Sequence, residues 1–206
     1  MVTSSSVQYV AAGITGQFAK LRRNFPFAMN VFVLSGGTSL GHLFTLSAAP
    51  ILTRLYYPDD IGDLGLFTAF LAVAAVSASL QFDVAIVSAP GQKEAAHLAI
   101  LSTSLVLPMS VIGGLLLYFM IHFSLLGFDS LPVYAAGLMI PSIVFTGLFS
   151  ILRYWSLRDE RFDIVSQAVI LQNGGRSVSQ LALGAIGPHS FGLFFGEVVE
   201  IGRAHV

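Results

Sequence analysis

The stretch that decides the fold is Ala95–Ile121, AAHLAILSTSLVLPMSVIGGLLLYFMI. Its 27 residues hold no Asp, Glu, Lys or Arg. A helix crossing a hydrocarbon core of about 30 Å needs roughly 20 apolar residues, so this segment is predicted to span a bilayer. A barrel strand would be about 10 residues long with alternating character, and the segment is neither. On both sides the pattern repeats. Spans are predicted at about 30–53, 64–87, 95–121, 131–152 and 164–186, and a sixth apolar run, 191–199, is cut short. Between them lie Pro58-Asp59-Asp60, Pro90-Gly91-Gln92, Gly127-Phe128-Asp129 and Gly187-Pro188, the residue types that end helices. Over 206 residues, 55% are hydrophobic and 10% charged, against about 25% charged in soluble domains. The chain contains no Cys, which removes disulfides, thiolate metal sites and cysteine nucleophiles.

Placement of Lys and Arg sets the expected orientation. With the N-terminus inside, Lys20, Arg22, Arg23, Lys93, Arg153, Arg158 and Arg161 are all cytoplasmic, and Arg54 alone lies outside. Seven against one is a strong positive-inside bias. Residues 1–29 form a cytoplasmic N-terminal segment without signal-peptide order, since the basic cluster follows the Ser-rich stretch. Val7, Val10, Ile14, Phe18 and Leu21 recur at helical spacing before that cluster, which fits an interfacial helix and equally a flexible tail. Residues 200–206 back-translate to the start of a common sequencing adapter, so the native sequence is expected to depart after Val199 and Arg203 and His205 receive no role.

Four stretches carry a family resemblance: AAPILTRLYYPDDIGDLGLF (Ala48–Phe67), QFDVAIVSAP (Gln81–Pro90), GQKEAAHLAILS (Gly91–Ser102) and LRYWSLRDERFDIVSQAVILQN (Leu152–Asn173). Together they resemble the Wzx-like oligosaccharide flippases of the polysaccharide transporter family, within the superfamily that holds the multidrug and toxin extruders. The resemblance implies an all-α, polytopic membrane helix bundle: the first lobe of a two-lobed MATE/MOP-like fold around a central cavity, with five full spans and a truncated sixth over residues 30–199. It implies a multi-pass protein of the bacterial cytoplasmic membrane that moves undecaprenyl-diphosphate-linked oligosaccharide toward the outer leaflet. The implied partners are the lipid bilayer, the lipid-linked oligosaccharide, the second lobe of the same protein and the polysaccharide polymerase machinery. Nucleic acid is not among them. Gln81 departs from the family, where a basic residue is common.

No catalytic constellation, metal-ligand spacing or cofactor motif is present, so neither an enzyme nor a cofactor is expected. His42, His97, His122 and His189 are scattered and read as packing or interface residues. Arg176 stands about 12 residues into the fifth span, roughly 18 Å deep at ~1.5 Å per residue. A central Arg costs about 2.5–3.5 kcal/mol on insertion scales, so it must face a cavity or a partner. At ~100° per residue, Gln172, Asn173, Ser179 and Gln180 share its face, whereas Leu171, Gly174, Val178, Leu181 and Ala185 form the opposite side. Such a stripe suits a hydrated lumen, with the guanidinium on a diphosphate and the amides on sugar hydroxyls. The alternative is a structural ion pair, with Asp83 as a named partner. Asp83, near the cytoplasmic end of the second span, is a candidate coupling-ion residue or else a side chain reaching the interface. Asp59, Asp60 and Asp63 read as turn and helix-start groups. Pro108 and Pro141 predict kinks, and Gly36-Gly37, Gly113-Gly114 and Gly174-Gly175 predict close helix packing.

Four functions compete. A flippase accounts for the resemblance and the cationic stripe. A cation-coupled multidrug exporter of the extruder branch would favour intramembrane carboxylates. A membrane-bound polymerase or ligase would need long outer loops, and these loops are short. A lone first lobe would be inactive by itself.

Overall fold

The computed structural model describes residues 26–186 and 190–203, with side chains over 31–185 and 192–198 apart from Val33. The expected N-terminal interfacial segment and the Gly187-Pro188 turn with His189 lie outside the described residues. The chain is all-helical there: α1 (Pro26–Leu55), α2 (Pro58–Ala78), α3 (Phe82–Ser88), α4 (Gln92–His122), α5 (Tyr134–Arg158), α6 (Phe162–Ile186) and α7 (Ser190–Arg203), with a short 3-10 turn at Phe128–Ser130. Among the described residues three helices are long and apolar enough to cross a membrane: α2, α4 and α5.

Local chemistry explains the boundaries. Tyr57 is extended and Pro58 opens α2 with Asp59 and Asp60 in its first turn, where a fixed φ and negative charge both suit a helix start. The predicted span 64–87 is not one helix. Leu80 and Gln81 adopt positive φ of 47° and 60°, and the chain restarts as α3. The Ser79 hydroxyl donates to the Asp83 carboxylate at 2.7 Å across this break, a local side-chain bond of the kind that competes with continuous helix. The fourth predicted span also shifts: α5 starts at Tyr134 and runs to Arg158. Nothing in Leu152–Arg158 breaks a helix, and a terminal Arg suits the negative end of the dipole.

Arg158 does more than mark topology. Its Nη1 donates to the carbonyls of Ile86 at 2.9 Å and Ala89 at 2.6 Å, closing the C-terminal end of α3. Arg158→Ala is expected to loosen α3 by about 2 kcal/mol, the scale of hydrogen bonds to a charged donor. A single cysteine reporter at Ser88, in a chain with no native cysteine, should then label faster; unchanged labelling would show that Arg158 does not hold α3.

Two packing regions result. One core joins α2, α4 and α5 through Phe67, Leu71, Leu117, Met139 and Ile143, and takes in Phe194 of α7. Phe67 meets Phe194 edge to face at 5.0 Å between centroids, a favoured aromatic geometry. Gly113 and Gly114 sit against Ile143 and Ile140, as expected of packing glycines. The second region is the long contact of α1 with α6. A Cβ on Gly37 would strike Ser166, and one on Gly41 would lie 2.9 Å from Asn173 Nδ2 and 3.2 Å from the Val169 carbonyl. Only glycine lets the two backbones approach this closely. Gly36, Gly174 and Gly175 have nothing within 4 Å of an added Cβ, so their expected role in close packing is not met. Large apolar side chains on the outside of α1 and α4, such as Phe32, Leu46, Ile100 and Leu107, are exposed, the surface a lipid-facing helix presents.

Candidate functional site

The middle of α6 collects the charged and polar groups. Arg176 Nη2 lies 2.9 Å from Glu197 Oε2 of α7, with side-chain exposures of 26% and 7%. The ion-pair alternative thus has a partner, and it is Glu197 rather than the Asp83 named from sequence. Asp83 is buried in the Ser79–Asp83 contact at the α2–α3 break, so it does not reach outward to the interface. The Arg176–Glu197 approach is charge pairing without an aligned hydrogen bond, because Glu197 Oε2 has no hydrogen-bond partner.

One turn along α6, Gln180 is 2% exposed and its Nε2 also has no hydrogen-bond partner. Its side chain covers Gly196, whose added Cβ would be 2.8 Å from Gln180 Cγ. Glycine at this position lets α7 close over the amide. From the end of α1, the Tyr56 hydroxyl donates to the Gln180 carbonyl at 2.9 Å. Burial, and then the nearby Asp60 carboxylate, push the Tyr56 hydroxyl above its ordinary pKa. Asn173 turns toward α1: its Nδ2 donates to the Val169 carbonyl at 2.9 Å, and Thr45 Oγ1 donates to its Oδ1 at 3.4 Å. Gln172 and Ser179, on the other flank of Arg176, are half-buried.

The five stripe residues therefore divide. Asn173 and the Gln180 carbonyl are engaged from α1 and its end, Arg176 is paired across to α7, and Gln172 and Ser179 are half-buried. A cavity of about 880 Å³ lies on the opposite face. Phe44, Ala48 and Ile51 of α1 and Leu171, Gly174 and Val178 of α6 line it, and none of the five stripe residues does. It is an apolar groove, in which bare Gly174 and Gly175 leave the space.

Glu197 is the functional candidate that the sequence reading missed. The signal was available: a carboxylate in SFGLFFGEVV is as conspicuous as an Arg in the fifth span, and intramembrane ionisable groups call for a partner. Reading 191–199 only as a truncated run hid it. Among the described residues no group of three His, Asp or Glu could hold a metal ion. Comparison of the chain with family models, with curated proteins and with solved structures gave no match.

Proposed function

We propose that this chain is the first lobe of a membrane exporter for lipid-linked oligosaccharides, handling an isoprenyl-diphosphate carrier in the bacterial cytoplasmic membrane with the N-terminus inside. The observation that carries this reading is Arg176, a cation in the middle of a helix, held by Glu197 and flanked by Gln172, Asn173, Ser179 and Gln180. A guanidinium can take a diphosphate by two parallel hydrogen bonds, and amides and hydroxyls suit sugars. In this reading α1 and α6 are spans in addition to α2, α4 and α5. Their Ser, Gly, Asn and Gln residues are tolerable in a membrane because the two helices cover each other. α7 opens the sixth span, and a second lobe completes the cavity.

A second reading, a cation-coupled multidrug exporter, gains support from the same geometry, because Glu197 and Asp83 are buried carboxylates. Such groups can bind cationic compounds or exchange protons. The test is complementation. The coding region, extended downstream to its stop codon, should restore surface glycan in a bacterium that lacks its own flippase. Failure despite confirmed membrane insertion, together with a gain in resistance to cationic dyes, would replace the first reading with the second.

A further inference from the structure

The Arg176–Glu197 pair has an unusual feature for a structural ion pair: it leaves hydrogen-bonding capacity unmet on both sides of the α6–α7 contact. Glu197 Oε2 is buried without a hydrogen bond, and so is Gln180 Nε2 one turn away. An unmet buried donor is costly, so the docked position of α7 leaves Gln180 Nε2 with a hydrogen bond that a rearrangement could supply. Arg176 meanwhile keeps a quarter of its side chain exposed, and Glu197 does not. The carboxylate oxygen at 2.9 Å stands where an oxygen of an anionic ligand would stand on the same guanidinium.

The geometry points to Glu197 as a resident stand-in for the ligand: its carboxylate occupies the anion seat on Arg176, and an incoming phosphate-bearing molecule must displace it. Glu197 then sets both the affinity and the selectivity of the site. A weak monoanion does not compete with a tethered carboxylate, whereas a diphosphate, with more charge and two oxygens for the guanidinium fork, does. Gln180 Nε2 supplies a further donor once α7 moves aside. Nothing covalent changes in this exchange; one oxygen anion replaces another on Arg176. The inference rests on the reading of Arg176 as the anion contact.

The test uses the full chain in nanodiscs of zwitterionic phosphatidylcholine, with inorganic pyrophosphate as the probe and acetate as the monoanion control. Glu197→Gln should bind pyrophosphate about tenfold more tightly than the unmodified chain, the effect of removing a competing contact worth roughly 1.4 kcal/mol. It should also begin to bind acetate, and Arg176→Gln should bind neither. A purely structural Glu197 would instead give weaker binding on removal, and that result overturns the inference. Equal binding by the unmodified chain and Glu197→Gln, abolished in Arg176→Gln, also overturns it but leaves Arg176 as an anion site. Binding that Arg176→Gln does not affect, or no binding in any variant, removes the Arg176 reading and this inference together.

A second variant covers the case in which Glu197→Gln does not fold. A Cβ on Gly192 would stand 3.1 Å from Leu183 Cβ, so the two helices need to part by only a few tenths of an ångström to reach the roughly 3.5–4.5 Å that a disulfide spans. The pair Leu183→Cys/Gly192→Cys should lock α7 onto α6 when oxidised. Oxidation should then weaken pyrophosphate binding about tenfold or more, with recovery on reduction. Equal affinity in the two redox states overturns the displacement.

Discussion

Arg176→Ala is expected to undock α7 from α6. Removing one partner of a wholly buried pair typically costs about 3–5 kcal/mol, because the remaining charge is left without compensation. Arg176 is 26% exposed and Glu197 7%, so about 3 kcal/mol, the low end of that range, applies. The expected readout is the yield of the disulfide formed by the Leu183→Cys/Gly192→Cys pair, which should fall sharply in an Arg176→Ala background. The double variant Arg176→Gln/Glu197→Gln should recover the cross-link, since two amides can face each other without an orphaned charge. It should not recover pyrophosphate binding. This split separates the two roles of Arg176. Recovery of docking without binding assigns the cation to the ligand as well as to the fold, whereas binding that survives in the double variant would leave Arg176 purely structural.

Gly41→Leu is expected to lift α1 off α6. Even a Cβ at this position crowds Asn173 and the Val169 carbonyl, and backbone cannot rotate away as a side-chain end can. Overpacking of this kind costs about 1–3 kcal/mol, and a full Leu should reach the top of that range. The Thr45–Asn173 and Tyr56–Gln180 hydrogen bonds depend on the same approach and should be lost with it. A cysteine replacing Ser166, which is 7% exposed, reports the change: protected in the parent, labelled in Gly41→Leu. Gly174→Leu is the control. It projects into the open groove and should leave the Ser166 reporter protected. Labelling in both variants would mean that α1 is loosely held whatever occupies the interface.

Much of the helical layout was legible because membrane helices are written in composition. Ala95–Ile121 has no charged side chain, and no tertiary context could make it anything but buried in lipid or protein. The polar stripe of α6 was legible too, since helical geometry alone puts Gln172, Asn173, Ser179 and Gln180 beside Arg176. What the stripe faces was not, because that depends on α1 and α7. Asn173 meets Thr45 from 128 positions away, and Gln180 receives Tyr56 from 124 positions away. The break at Leu80–Gln81 was hidden for a different reason. Without Gly or Pro to signal it, two ordinary residues take positive φ, which such side chains do only when surrounding structure enforces it. Glu197 was concealed by attention to where the apolar run stopped rather than to the charge inside it.

The glycine-faced contact of α1 has a consequence for biogenesis. α1 precedes α2 in sequence, yet it packs along α6, and among the described residues it shares no extended contact with α2. Its Thr45 waits for Asn173 across 128 positions, roughly 6–26 s of translation at ~5–20 residues per second. During that interval α2, α4 and α5 can assemble, while the small-residue face of α1 has yet to meet its mate on α6. The α1–α6 contact therefore closes only after most of the intervening chain has been made.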